Sequence, residues 1–263
     1  MKGKTCLTGL LLVSFLLTQG QNKPISYHTD SEINWAGVDR AGDLFLVLAN
    51  GEVQKIDKEG KKLGTSKFNK TPTLLDPLDG AQSFYYNRAD NTYGNISSDM
   101  MRVTTKTVDP SFAIRPWLVC PALHELWILD SADFSLKKTE MKSTMVSLEA
   151  PLNHLPNKKI SDYIHIREYQ NYLFLLDRVE GVHMFNGLGK FIKTIGEKNL
   201  GYFNFLGEEI YFIVGAEIVF IDLYTNKKRT LPKPADCEFV LLTEDRQYSI
   251  AGKSVSIFPF NPE

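Results

Sequence analysis

Cysteine is scarce in this chain. Of 263 residues three are cysteines, and one of these, Cys6, lies ahead of a short apolar run near the start. The other two, Cys120 and Cys237, are too few for the disulfide framework of a small secreted domain. An excess of one charge is missing too. The chain has 30 basic and 31 acidic residues and a formal net charge of −1, which provides no broad field for nucleic acid or an anionic membrane surface. Zinc-binding spacing is absent: His28, His124, His154, His165 and His183 never stand two or four apart, so no element offers a ready pair of ligands. There is no Asp-rich calcium loop and no Gly-x-Ser-x-Gly elbow. Gly187-Leu188-Gly189 is followed by no helix that would cradle a phosphate. No catalytic residue, metal or cofactor is expected.

What the chain does have is a degenerate cassette, an aromatic inside a short apolar run. Its copies are Leu44 to Val47, Ser83 to Tyr86, Leu126 to Leu129, Leu173 to Leu176, Ile210 to Ile213 and, more weakly, Gln247 to Ile250. From Phe45 to Tyr248 the mean period is roughly 41 residues, the spacing of a repeat built from small sheets. A turn follows the aromatic, as at Asn50-Gly51 and Glu180-Gly181, and then a second apolar segment such as Val53 to Asp57 or Ile218 to Asp222. Asn-Gly accepts the positive φ of a tight hairpin, so the flanking strands can pair antiparallel. A third, basic segment comes next, as at Lys61 to Leu63, Lys190 to Lys193 and Lys227 to Leu231. Each copy therefore predicts a meander of three or four strands.

One such sheet cannot bury both faces. Packing six of them around an axis does so and protects their edges, which predicts an all-β, six-bladed β-propeller. A β-sandwich competes, but it needs no regular period of this length. The last copy ends at its second segment, while Pro24 to Thr29 alternates like a strand ahead of the first cassette. A strand from each end is expected to close the ring. Cys120 and Cys237 then fall on opposite blades, too far apart for the roughly 7 Å a disulfide allows. Proline-bearing stretches at Phe68 to Gly80, Asp109 to Pro121 and Met141 to Asp162 read mostly as connections between blades.

The N-terminus reads as a secretory signal. Lys2 and Lys4 precede an apolar stretch from Leu7 to Leu17, and Thr18-Gln19-Gly20 has the small residues of a cleavage site. The stretch is shorter than the roughly 20 residues of a membrane-spanning helix. The expected organisation is a signal peptide over 1–20 and a single propeller domain over 21–263, periplasmic or secreted, with no membrane span after cleavage.

The segment from Asp43 to Lys61, DLFLVLANGEVQKIDKEGK, resembles an NHL- or YncE-like propeller blade. Leu75 to Asp79, Glu125 to Asp130 and Leu173 to Phe185 are similar to a narrower group, exported propellers of Gram-negative bacteria without an assigned activity. The resemblance implies a fold and an envelope address but no chemistry. Outside the cassettes, Trp35, Arg115, Trp117 and Tyr163 are the best candidates for a binding surface, because Trp, Tyr and Arg dominate binding hot spots. The competing reading packs Trp35 and Trp117 between blades. Two functions follow. One is a non-enzymatic binding or scaffold propeller with a protein partner in the cell envelope. The other is a metal-dependent propeller enzyme of lactonase, lyase or hydrolase type.

Overall fold

The computed structural model describes residues 24–77, 81–140 and 145–262. The proposed cleavage point near Gly20 lies outside them. The described residues form six four-stranded antiparallel sheets arranged as the blades of a propeller, with no α-helix. Blade 1 holds β2 (Ile33–Val38), β3 (Leu44–Leu48), β4 (Glu52–Ile56) and β5 (Lys62–Lys67). Blade 2 holds β6 (Leu74–Asp76), β7 (Gln82–Asn87), β8 (Thr92–Ser97) and β9 (Lys106–Thr107). Blade 3 holds β10 (Pro116–Pro121), β11 (Glu125–Asp130), β12 (Ser135–Glu140) and β13 (Val146–Pro151). Blade 4 holds β14 (Tyr163–Tyr169), β15 (Tyr172–Asp177), β16 (Gly181–Asn186) and β17 (Phe191–Ile195). Blade 5 holds β18 (Asn204–Leu206), β19 (Glu209–Val214), β20 (Glu217–Asp222) and β21 (Lys228–Pro232). Blade 6 combines β22 (Phe239–Leu242), β23 (Arg246–Ala251) and β24 (Ser254–Pro259) with β1 (Ile25–His28).

The expected clasp is present. β1 runs antiparallel to β24, with Ile25 opposite Ile257 and His28 opposite Ser254. It covers the backbone groups that the outer edge of blade 6 would otherwise expose.

The aromatic of each cassette lies on the second strand of its blade, and an inner strand precedes it. Phe45, Phe84, Trp127, Phe174, Tyr211 and Tyr248 are all buried. They lean toward the following blade. Phe45 clusters with Leu75 and Tyr85, and Phe174 packs on Phe203 and Phe205. Where the ring carries a polar tip, that tip crosses the blade boundary. Trp127 Nε1–H donates to Glu168 Oε2 (2.6 Å), the Leu242 N–H donates to the Tyr211 hydroxyl (2.8 Å), and Tyr248 O–H donates to the Gly42 carbonyl (2.6 Å). Each anchor thus buries a large apolar ring and satisfies its one polar group in the next sheet.

Two expectations are refined by the structure. The proline-bearing stretches are connections over most of their described length, but not throughout. Each contains a strand: β6 lies in the first, β10 in the second and β13 in the third. Pro116 and Pro121 sit at the ends of β10 and Pro151 at the end of β13, where the missing N–H costs little. The sixth copy, the weaker one in sequence, is a complete blade that takes β1 from the other end of the chain, and blade 2 is complete although β9 has only two residues. Cys120 and Cys237 are free and buried, on blade 3 and just ahead of blade 6.

Candidate functional site

The inner strands surround an axial cavity lined by Trp35, Gly37, Leu75, Asp76, His165 and Arg167, among others. The room inside it is about 10 Å³, space for about one water and too little for a small ligand. Across from the six anchors, the inner strands place Gly37, Asp76, Cys120, Arg167, Asn204 and Leu241 at equivalent register. Arg167 Nη1–H donates to Asn204 Oδ1 at 2.7 Å, so the cation ties blade 4 to blade 5. Burial pushes the Cys120 thiol well up, which keeps it protonated and unreactive at neutral pH. The Trp35 ring lies over Gly37. A Cβ there would come within 2.2 Å of the indole, so only glycine admits this rotamer. Among the described residues no three His, Cys, Asp or Glu side chains gather to hold a metal.

The connections between blades and the turns from second to third strands emerge on one face, here the connection face. The remaining turns form the opposite hairpin face. Over blades 2, 3 and 4 the connection face is built on three buried polar residues, each the last of its second strand: Asn87, Asp130 and Asp177. Each accepts the N–H two residues on, from Ala89 (3.0 Å), Ala132 (2.9 Å) and Val179 (2.8 Å). Each also holds the connection entering its blade. Asn87 Nδ2 donates to the Lys70 carbonyl, the Ile114 and Arg115 N–H groups donate to Asp130, and Asn157 Nδ2 donates to Asp177.

Two of these carboxylates have buried basic companions. Lys137 Nζ lies 2.8 Å from Asp130 Oδ2 and 2.7 Å from Asp133 Oδ2. Burial alone would raise the Asp130 pKa and lower that of Lys137. The contacts between them, with the amides on Asp130, outweigh it, so Asp130 titrates below and Lys137 above its usual range. His183 stands 3.7 Å from Asp177, with its Nδ1 2.9 Å from the Thr194 hydroxyl. Desolvation holds His183 below its ordinary pKa. His183 is thus a fully buried, hydrogen-bonded strand histidine.

Arginines follow or rest on these caps. Arg88 comes after Asn87 and Arg178 after Asp177, while the backbone of Arg115 is held by Asp130 and by Ser131, whose hydroxyl donates to the Arg115 carbonyl. Trp117 occupies a bulge in β10 that interrupts the register between Pro116 and Leu118. Bulges re-aim a side chain without ending the ladder. The Arg88 guanidinium stacks 3.7 Å from the Trp117 ring centre. On its other side Trp117 Nε1–H donates to the Tyr163 carbonyl at 2.8 Å, and the Arg178 N–H reaches the neighbouring Asp162 carbonyl. Arg88 and Trp117 thus link blade 2 to the Tyr163 backbone in blade 4, and the Arg178 backbone is held one residue away at Asp162.

The structure brings Arg115, Trp117 and Tyr163 onto neighbouring strands of this face. Arg115 is exposed and Trp117 half-buried, whereas Tyr163 is fully buried and contributes its backbone. Trp35 stands apart, in the axial cavity. Arg88 and Arg178 were not singled out from sequence. Their signal was present in the pairs Asn87-Arg88 and Asp177-Arg178 at corresponding ends of cassettes.

No family model matches the chain, and no curated protein matches it. Solved structures do. A chain of the Mitotic Checkpoint Complex is 12% identical with a TM-score of 0.55, covering 86% of this chain and 76% of that one. The WD40 domain of Pan2 from Neurospora crassa is 8% identical with a TM-score of 0.54, over 84% of this chain and 73% of that one. PorZ, a surface component of the type-IX secretion system of Porphyromonas gingivalis, is 10% identical with a TM-score of 0.52; the match covers 92% of this chain but 39% of PorZ. At such identities the likeness is one of fold, the β-propeller. It does not extend to NHL or YncE proteins as a family.

Proposed function

We propose that the chain is a non-enzymatic binding propeller, a scaffold for a protein partner in the cell envelope. One observation carries this reading: Arg88 stacks on Trp117, and Arg115 and Arg178 share with them a face whose backbone is fixed by buried polar caps. Anchors of this type, held in place before binding, are what interaction surfaces use. The axial cavity, by contrast, is narrow, and its arginine is already engaged with Asn204. Among the neighbours in fold, PorZ is a surface component of a secretion system and another belongs to a mitotic assembly, which accords with a role in holding proteins together. The address rests on the N-terminal segment, read as a signal over 1–20 and cleaved near Gly20, and on the blade motifs resembling exported Gram-negative propellers. Cross-linking in intact cells followed by purification through a C-terminal tag tests the reading. One partner in near-equal amount is expected. Recovery of the chain alone, together with turnover of a lactone or ester by the purified protein, would overturn it.

A further inference from the structure

We infer that the connection face over blades 2, 3 and 4 docks an acidic segment of its protein partner, an inference that rests on the scaffold reading above. The face sorts its cations. Lys70, Lys159 and Lys198 are matched by Asp90, Asp162 and Glu180, and Lys158 spends its Nζ donors on the Leu152 and Asn153 carbonyls. Arg88, Arg115 and Arg178 form no ion pair among the described residues. The unmatched cations are therefore the planar forks, which bind carboxylates through two parallel N–H donors, whereas an ammonium acts as a point charge. Stacking strengthens the case at Arg88. A guanidinium lying on an indole is held by its face, so its in-plane donors remain available at little further cost in side-chain entropy.

Apolar surface lies beside the forks. Ile114 is 73% exposed next to Arg115, and Val179 is 37% exposed next to Arg178. The occupant that fits is an extended segment with carboxylates for the three arginines and an apolar or aromatic side chain between them. A nucleic acid or other polyanion suits the face poorly. It would require a broad positive field, and this chain carries a formal net charge of −1, with the lysines of this face engaged by carboxylates or, for Lys158, by backbone carbonyls. Among the described residues of the hairpin face no arginine stacks on an exposed tryptophan. The most exposed apolar side chains described there, Leu123, Met101 and Leu188, stand in separate turns.

The test uses the full chain and a short fluorescein-labelled peptide of alternating glutamate and phenylalanine, with its glutamine counterpart as control. Fluorescence anisotropy should show binding of the glutamate peptide only, weakening as salt rises. Arg115→Glu and Arg178→Glu should each weaken it about tenfold, as expected for loss of a charged hydrogen-bond donor. Arg102→Glu, the same charge change on the hairpin face, should leave it unaltered, and all three variants should melt with the parent. Equal binding of the glutamine peptide, or equal loss with Arg102→Glu, overturns the inference. So does inorganic polyphosphate binding more tightly than the peptide with the same dependence on Arg115 and Arg178, because the face would then be a general polyanion site. In the cross-linking experiment, Arg115→Glu and Arg178→Glu chains that capture the parent's partner undiminished would refute the docking surface and leave the scaffold reading intact.

Discussion

Lys137 shows what a single residue does in this structure. It lies almost out of water between Asp130 and Asp133, and Asp130 in turn holds the backbone of Arg115. Removing one member of a buried pair leaves the other charge uncompensated, at about 3–5 kcal/mol. Lys137→Met should therefore lower stability by about 3 kcal/mol in urea denaturation, and should loosen the Arg115 loop in hydrogen exchange. The histidines give the fold a second residue-level sensitivity. His165, half-buried in the wall of the axial cavity beside Phe203, is pushed down to about 3 by desolvation and then by the Arg167 charge, and His183 is lowered by burial. Above pH 6.5 both are neutral whether folded or not. As pH falls below 6.5 the unfolded chain binds protons that the folded chain refuses, so stability declines. The carboxylate Asp130, whose folded pKa is lowered, adds its own loss only below 3.8. Denaturation midpoints measured between pH 7 and 4 should fall for the parent and fall less for His165→Gln; parallel curves would contradict this account.

At the scale of the element, the second strand of each blade was legible and the first was not. β3, β11 and β15 are unbroken apolar runs with a central aromatic, because both faces of a second strand are buried between blades. The inner strands are short or irregular. β6 and β18 have three residues each, β10 begins and ends with proline, and β2, β10 and β14 carry bulges that break alternation. Their identity comes from pairing with the second strand, which no local pattern records. Replacing a buried Phe or Trp by Ala costs about 3–5 kcal/mol. Trp127→Ala and Phe174→Ala should each shift the chemical denaturation midpoint by that amount, Trp127→Ala the more because Glu168 also loses its donor. Deleting Pro24 to Asp30 removes β1 and bares the edge of β24. Light scattering should then detect aggregation and calorimetry a lower melting temperature, although no blade-forming cassette has been touched.

Seen as a whole molecule, the ring is a set of sheets each leaning on the next. The period of the cassettes was enough to infer six of them. The candidate site was legible only in fragments. Arg115 and Trp117 stand close in sequence and stay close in space, but Arg88 and Arg178 come from the blades on either side. Only radial closure brings Asn87, Asp130 and Asp177 to the same level, so a constellation gathered from three repeats leaves no linear motif. The clasp in blade 6 has a mechanical consequence. Ile25 faces Ile257, so the chain departs from β1 and from β24 at the same end of the pair. Tension applied between residues 24 and 260 therefore loads the ladder bonds one after another rather than in shear. The ring should peel open at low force, first along β1, before any other blade yields. In optical-tweezer traces this predicts a short, reversible extension ahead of the main rip. Moving the N-terminal attachment to a cysteine placed at Asn226, on the turn of blade 5, should abolish that early step.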